Sequence, residues 1–291
     1  MKKTFILLTL FLLTNNLFSQ TTYTGHVGKY PVELVTYIFS DGVARAFYVY
    51  TKFDEPIIID GTLKNGLLSL TEKDGSGKES ASLVFKDFDA NKTSLNGTWT
   101  DLASNKSLQI TLTKSFNIDY GDDLEWQSKE LLQPATMENK YFKLLISKEK
   151  GSFYARVAGL KIFEKRTDKL LQQIDLDCQL WGINNISVGD YNFDGIPDFS
   201  VFEQSYAGPN TSSIYFLFNP QTGNFFRSSF EGTSLDFDEK AKRIYEHNQC
   251  CAGTSHMNAT YKVENNEMVL VEKRCTEYNE EQDDYIQVDC E

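Results

Sequence analysis

The chain has 291 residues, a formal net charge of −12 and 41% hydrophobic residues. This length allows two domains or one large β-domain. The acidic excess argues against nucleic acid as a partner, because nucleic-acid binding needs a basic surface. It favours metal ions and cationic partners, which are attracted over long range.

The first predicted element is a secretory signal at residues 1–19. Two lysines precede an apolar run at 5–13 that is too short to cross a membrane. Cleavage after Ser19 or Gln20 would remove both lysines and no acidic residue, so the net charge would become −14. No cysteine near this position could carry a lipid anchor, and no later segment is long and apolar enough to span a membrane. We therefore expect a periplasmic or secreted protein that is not embedded in a membrane.

Residues 20–116 are predicted to form a small antiparallel β-barrel or sandwich. Strand-like runs follow one another at 31–39, 44–51, 57–63, 67–72, 82–85, 95–100 and 108–113. Asn-Gly and Asp-Gly pairs in the breaks favour tight hairpins. The segments Ile-x-Gly, Leu-x-Leu-x-Glu and Leu-x-Gly-Thr-Trp occur at 59–61, 68–72 and 95–99. With them, this part of the chain resembles small β-barrel modules of exported Bacteroidetes proteins.

A linker is predicted at 117–136, with a short helix at 124–132 that Pro134 ends. A second, larger β-domain follows at 137–291, where around ten short strand patterns succeed one another. Such a number suits a sandwich or a propeller-like set of small sheets. The absence of a clean internal repeat argues against a propeller of identical blades. The predicted fold class is all-β.

Five cysteines lie in the second half of the chain: Cys178, Cys250, Cys251, Cys275 and Cys290. In an exported protein they are candidates for disulfides, and their odd number leaves at least one unpaired. We expect one bond from Cys250 or Cys251 to Cys275, across a predicted hairpin. Cys178 or Cys290 would then join the remaining adjacent cysteine.

A nine-residue loop at 190–198 carries oxygen-bearing side chains at the alternate positions 190, 192 and 194 and again at 198, with Gly195 where it must turn sharply. Ca²⁺ takes six to eight oxygen ligands at about 2.3–2.6 Å, and this spacing wraps a short backbone around one point. The predicted metal ligands are Asp190, Asn192, Asp194, Asp198 and the backbone carbonyl of Ile196.

This loop is not an EF-hand, because Val201 stands where that motif needs a bidentate Glu, and the flanks alternate like strands. It resembles the Asp-x-Asn-x-Asp-Gly-x-x-Asp loops between strands of FG-GAP-type extracellular β-proteins. The simpler alternative is an Asp/Asn-rich turn without metal. We expect the ion to be structural, since no histidine or evident nucleophile adjoins the loop, and expect Tyr191 and Phe193 to point into the core.

After this loop come a small-residue loop at 202–213, an aromatic strand and turn at 214–223 and a cysteine turn at 249–253. This order resembles a bacterial family of periplasmic, calcium-binding, propeller-like lysozyme inhibitors, some of which are immunity proteins against lysozyme-like toxins. The resemblance implies a non-catalytic protein that inhibits a cationic lysozyme-like hydrolase. The metal would rigidify a loop presented to this partner. The predicted contact loop is 203–210, and its partner-binding residues are Glu203, Tyr206 and Asn210.

Two other functions stay open. A carbohydrate- or cell-surface-binding module would use an aromatic side chain such as Trp126 or Trp181 as a stacking face. A hydrolase would use a pair of Asp or Glu residues, which 41 acidic residues make easy to propose. The chain has no Gly-x-Ser-x-Gly nucleophile elbow, and its three histidines are predicted to be surface or turn residues.

Overall fold

The computed structural model describes residues 19–118 and 122–290. Within these residues the secondary structure is antiparallel β-sheet apart from one short 3-10 turn, which confirms the all-β class. The predicted signal lies outside the described residues except for Ser19.

Eight strands form a closed barrel in sequence order. They are β1 (Ser19–Val27), β2 (Tyr30–Ile38), β3 (Val43–Tyr50), β4 (Ile57–Lys64), β5 (Leu67–Lys73), β6 (Glu79–Phe85), β7 (Ser94–Asp101) and β8 (Ser107–Ile118). β1 pairs with both β2 and β8 and thereby closes the barrel. The seven strand patterns predicted from the sequence are all present. β1 is an additional strand that begins at Ser19, at the predicted cleavage position.

Tight turns between the strands and large side chains in the interior stabilise the barrel. Asn65 and Gly66 have φ angles of 51° and 76°, which suits the type I′ turn that an Asn-Gly pair favours. The interior is closed by large buried side chains, among them Tyr23, Leu34, Tyr48, Ile59, Leu68, Leu83 and Phe85. Tyr48 donates its hydroxyl hydrogen to Glu72 at 2.9 Å, so this polar atom is satisfied inside the barrel.

The helix predicted at 124–132 is wrong, because strand β9 occupies Trp126–Met137. β9 lies at the edge of its sheet and pairs with β10 alone. Pro134 stands where the register with β10 shifts between Tyr141 and Lys143. An edge bulge tolerates proline, which cannot donate a ladder hydrogen bond. The strand therefore continues through the residue expected to end a helix.

The remaining strands form three sheets of consecutive strands, in the orders β12-β11-β10-β9, β13-β14-β15-β16 and β17-β18-β19-β20-β21. Their bounds are β10 (Lys140–Lys148), β11 (Arg156–Glu164), β12 (Lys169–Gln179), β13 (Ile186–Gly189), β14 (Asp198–Ser205), β15 (Thr211–Asn219), β16 (Asn224–Arg227), β17 (Asp236–Asp238), β18 (Arg243–Cys250), β19 (Ser255–Glu264), β20 (Glu267–Asn279) and β21 (Asp284–Val288). The strands β17 and β21 had no counterpart among the sequence predictions.

One hydrophobic cluster joins the outside of the barrel to the first two of these sheets. Val35, Phe47 and Val49 of the barrel pack in it with residues such as Phe142 and Phe199. Polar contacts cross the same boundary. Lys143 lies 3.1 Å from Glu33, and the backbone N–H of Arg166 donates to Asp54 at 2.8 Å.

The cysteine pairing predicted from the sequence is wrong. The disulfide joins Cys275 to Cys290, with Cα atoms 5.3 Å apart, whereas Cys250 and Cys251 are exposed thiols. Cys275 of β20 is paired with Val288, the last residue of β21. Cys290 follows two residues later and therefore lies beside Cys275. Strand β21, which the acidic composition did not suggest, brings the two cysteines together.

Candidate functional site

The 190–198 loop forms the turn between strands β13 and β14. Gly189, the residue before the loop, is paired with Asp198, the last residue of the loop and the first of β14. Tyr191 and Phe193 are each 8% exposed and pack in a small cluster with Tyr215. The two aromatic side chains thus point inward, as the alternating pattern predicted. Among the oxygen-bearing residues, Asp190 and Asn192 are half-buried, Asp194 is exposed and Asp198 is buried.

The turn is held by hydrogen bonds from its own backbone. Asp190 accepts the N–H groups of Asp194 at 3.0 Å and Gly195 at 2.8 Å. Asp194 accepts the N–H of Ile196 at 2.8 Å. Gly195 has φ +85°, a left-handed conformation that glycine adopts without a side-chain clash. The predicted role of this glycine in the sharp turn is confirmed.

Asp198 is the one fully buried carboxylate of the loop. Its two oxygens accept the backbone N–H of Tyr191 at 3.1 Å and that of Phe218 at 2.8 Å. Burial raises the pKa of Asp198 to about 6, and Asp194 raises it further by charge repulsion, while the two N–H donors act in the opposite direction. A nearby cation would favour the ionised form of such a group.

The loop is also tied to the third sheet. Asn192 donates its amide hydrogens to Asp194 and to Asn266, both at 2.9 Å. Lys242 donates to the backbone carbonyl of Phe193 at 3.0 Å. The loop therefore connects strands of two sheets, and changes in it would be felt in both.

The donor set of this loop is chemically suited to Ca²⁺, since it consists of carboxylate, amide and carbonyl oxygens. Each carboxylate oxygen has two lone pairs, so an N–H bond does not exhaust it. Within the part of the chain that the structure describes, no three or more His, Cys, Asp or Glu side chains form a group placed to hold a metal ion. The carboxylates are instead turned toward backbone N–H groups.

The predicted contact loop, residues 203–210, lies at the other end of β14. This strand runs from Asp198 to Ser205, and at about 3.3 Å per residue its two ends are separated by roughly 20 Å. The 190–198 loop and the contact loop are therefore not neighbours in the fold. An ion in the 190–198 loop would act on the contact loop only through the sheet.

Tyr206 is the exposed aromatic residue of the contact loop, with 47% of its surface accessible. Its hydroxyl accepts a hydrogen bond from Gln204 at 2.7 Å and donates one to Ser212 at 3.3 Å. Ser212 in turn donates to Glu203 at 2.8 Å. Two hydrogen bonds thus hold the hydroxyl of Tyr206 in place, while nearly half of the residue's surface stays accessible.

A cavity of about 310 Å³ lies beside this chain of hydrogen bonds. Its lining includes the acidic residues Glu203 and Glu231, the ring of Tyr206 and one basic residue, Arg227. The third predicted contact residue, Asn210, is only 7% exposed. It donates to Asn248 and to the backbone carbonyl of Gln249 at 2.7 Å, and so fastens the loop to β18.

Trp181 is the more exposed of the two tryptophans considered for glycan stacking, at 55%. It stacks on Phe202 with ring centroids 5.1 Å apart. A groove of about 370 Å³ beside it is lined by Tyr37, Phe39, Arg45, Trp181, Ile183 and Asn184. Trp126, by contrast, packs against the cluster that joins the barrel to the first two sheets. Sequence spacing gave no sign of this groove, because its walls are more than a hundred residues apart in the chain.

The histidines are placed separately from both loops. His26 lies in β1, and His247 and His256 lie on neighbouring strands with ring centroids 5.5 Å apart. His247 is hydrogen-bonded to Asn258 at 2.7 Å. All three histidines are on strands and not in turns, but His26 and His247 are exposed, as predicted for surface residues, and His256 is half-buried.

No protein-family model matches the chain, and no curated protein is significantly similar to it. Among residues 19–118 and 122–290, no helix has the length and apolar character needed to cross a membrane. Function must therefore be argued from the loops and grooves themselves.

Proposed function

We propose that this chain is an exported, non-catalytic protein that binds and inhibits a lysozyme-like peptidoglycan hydrolase. The observation that carries the proposal is the exposed ring of Tyr206, fixed by hydrogen bonds at the rim of a cavity that contains Glu203 and Glu231. Fixed, exposed tyrosines are frequent anchors of protein interfaces, and prior ordering reduces the entropy lost on binding.

The sheet order supports this proposal. Three consecutive antiparallel sheets of four or five strands follow the barrel, and four-stranded antiparallel sheets are the unit of propeller-like folds. The 190–198 loop joins the first two strands of the second sheet. We take this arrangement as support for a propeller-like second domain.

Charge supports a basic partner. The net charge would be −14 after signal cleavage, and lysozymes are usually basic, so the two would attract each other before contact. The cavity beside Tyr206 could receive a lysine or arginine side chain between Glu203 and Glu231. The anchor and the acidic cavity would then contact neighbouring parts of the partner.

Calcium is part of the proposal. Asp190, Asn192, Asp194, Asp198 and the carbonyl of Ile196 would hold one Ca²⁺. Bound there, the ion would neutralise repulsion among the carboxylates and stabilise the turn between β13 and β14. Because the contact loop lies at the opposite end of β14, we assign the ion a role in sheet stability and not in direct contact.

A titration of peptidoglycan hydrolysis tests the inhibitor proposal. Purified mature protein would be added to a panel of lysozymes, with Ca²⁺ and with EDTA. We expect saturable, near-stoichiometric inhibition of at least one enzyme, which Tyr206→Ala weakens at least tenfold. Tyr30→Ala is a matched control, because Tyr30 is equally exposed, at 47%, but lies on the barrel. Equal inhibition by both variants, or none by the unaltered protein, would contradict the proposal.

A carbohydrate-binding module is the second candidate, and the groove at Trp181 is the observation that favours it. Its aromatic walls and Arg45 could stack on and hydrogen-bond to a sugar. Soluble peptidoglycan fragments should then change tryptophan fluorescence in a saturable way. Trp181→Ala should abolish this change and Trp126→Ala should not. Binding that survives Trp181→Ala would count against this groove.

A further inference from the structure

Cys250 and Cys251 are adjacent in sequence, and their sulfur atoms lie 3.0 Å apart. Strand β18 ends at Cys250, a short 3-10 turn follows at Cys251–Gly253, and β19 begins at Ser255. Both cysteines are exposed. The pair thus forms the tip of the β18–β19 hairpin, where solvent and an oxidant can reach it.

This proximity is imposed by the backbone. Side chains of neighbouring residues in an extended strand point to opposite faces. Cys250 is extended, with φ −134° and ψ −177°, but Cys251 and Ala252 both have φ 56°. Two consecutive non-glycine residues in the left-handed region persist only where the surroundings enforce them. Here the turn returns the Cys251 side chain toward Cys250.

The other cysteines are placed so that they do not compete. Cys275 is bonded to Cys290. Cys178 is buried at 1% exposure on β12, opposite Val157. For an oxidant that approaches from solvent, Cys250 and Cys251 are therefore the accessible thiols, and each is the nearest partner of the other.

We propose that Cys250 and Cys251 form a disulfide with each other at the tip of the β18–β19 hairpin. One thiolate attacks a disulfide oxidant and gives a mixed disulfide, and one oxidant thiol leaves. The second cysteine thiolate attacks the bonded cysteine sulfur and releases the other oxidant thiol. Overall, two protons and two electrons pass from the cysteine pair to the oxidant, whose own disulfide is reduced to two thiols.

The bond would also brace the contact loop. Gln249, directly before the pair, donates its backbone N–H to Asn210 at 3.2 Å and accepts from it at 2.7 Å. A cavity of about 350 Å³ lies between the cysteine turn and Tyr206. A covalent ring at 250–251 would restrict the turn and thereby residues 206–210. The bond itself does not depend on the proposed function, whereas its relevance to partner binding does.

Tryptic mapping of the full mature chain tests the bond, because trypsin separates the cysteines into three peptides. Residues 170–227 contain Cys178, residues 244–262 contain Cys250 and Cys251, and residues 275–291 contain Cys275 and Cys290. The protein is equilibrated with oxidised and reduced glutathione, its free thiols are alkylated, and it is digested without reduction. We expect peptide 244–262 to be unlinked, unalkylated and lighter than the dithiol by two hydrogen atoms.

Any other form of that peptide would overturn the proposal. Cross-linking to 170–227 or 275–291 would show a different pairing. Double alkylation or addition of glutathione under oxidising conditions would show that the pair does not close. Cys250→Ser should leave Cys251 either alkylated or linked to glutathione in the same experiment, because no second cysteine can displace the glutathione. This control shows that both reagents reach the position.

Hydrogen exchange separates the bond from its proposed effect on the contact loop. Reduction of the pair should speed amide exchange in 206–210 severalfold, while the barrel segment 43–50 serves as internal reference. The double variant Cys250→Ser, Cys251→Ser should show the fast exchange with and without oxidant. Unchanged exchange at 206–210 would refute the bracing role. Failure of lysozyme inhibition would leave both measurements interpretable, because neither requires a partner.

Discussion

The buried carboxylate of Asp198 accepts the backbone N–H of Phe218 at 2.8 Å and so fastens the end of the 190–198 loop to strand β15. The same carboxylate accepts the N–H of Tyr191 at 3.1 Å. One side chain thus satisfies two backbone N–H donors, one in the 190–198 loop and one on strand β15. The loop is part of the sheet's structure whether or not it holds an ion.

Asp198→Asn should therefore lower the free energy of unfolding without any change in calcium. An amide presents NH₂ toward one of the two N–H donors, and a buried donor left without a partner costs about 1–3 kcal/mol. Urea unfolding in EDTA measures this loss. Asp236→Asn, an exposed position on β17, is the control and should leave stability within about 0.5 kcal/mol of the unaltered protein. Equal stability of the two variants would contradict the assigned role of Asp198.

Calcium should raise the melting temperature of the unaltered protein. An ion that binds only the folded state stabilises it by about 2.7 kcal/mol at a hundredfold excess over Kd. Asp190→Ala combined with Asp194→Ala should abolish this gain, because it removes two of the predicted carboxylate ligands. Asp236→Ala combined with Asp238→Ala should retain it. Equal melting in Ca²⁺ and after exhaustive chelation would count against the calcium site.

The buried thiol of Cys178 should make stability depend on pH in the alkaline range. Burial raises the pKa of Cys178 from 9.0 to about 11. Between these values the folded state keeps a proton that the unfolded state releases. The stabilisation is therefore complete below pH 9 and is lost as pH rises through 11. Urea unfolding should show a shallower decline over this range for Cys178→Ala than for the unaltered protein, and parallel curves would contradict it.

The barrel should be sensitive to a methyl group at one glycine and tolerant at another. A Cβ at Gly61 would lie 1.8 Å from the backbone carbonyl oxygen of Ser69, on the neighbouring strand. Gly61→Ala must displace a paired strand, and we expect a loss of about 1–3 kcal/mol or more. Gly75 lies in a turn with open space around it, so Gly75→Ala should be nearly neutral. Thermal melting of both variants measures the contrast.

The sequence pattern predicted most of the strands because the features that define a strand and its ends lie close together in the chain. Alternating apolar residues and turn pairs such as Asn65 and Gly66 determine where a strand ends, and the structure agrees there. The helix prediction for 124–132 was wrong because the leucines of this segment suit a helix or a strand equally. Pairing with β10 selects the strand. Strand β21 was not predicted for a similar reason, because its pairing with β20 outweighs its polar composition.

The parts of the candidate site that are close together in the chain could be predicted, and the parts formed by distant residues could not. The loop ligands at 190–198 lie within nine residues, so their spacing alone suggested a common centre. The groove at Trp181 and the fastening of Asn210 to Gln249 depend on residues far apart in the chain. No local pattern encodes such contacts.

The sequence by itself determined the all-β class, the positions of most strands and the turn at Gly195, because hydrophobic alternation and backbone preference act between neighbouring residues. Only the tertiary structure decided barrel closure by β1 and β8, the Cys275–Cys290 bond and the separation of the 190–198 loop from the contact loop. These features depend on which strands pair and on where each chain segment returns, and long-range packing alone selects among the alternatives.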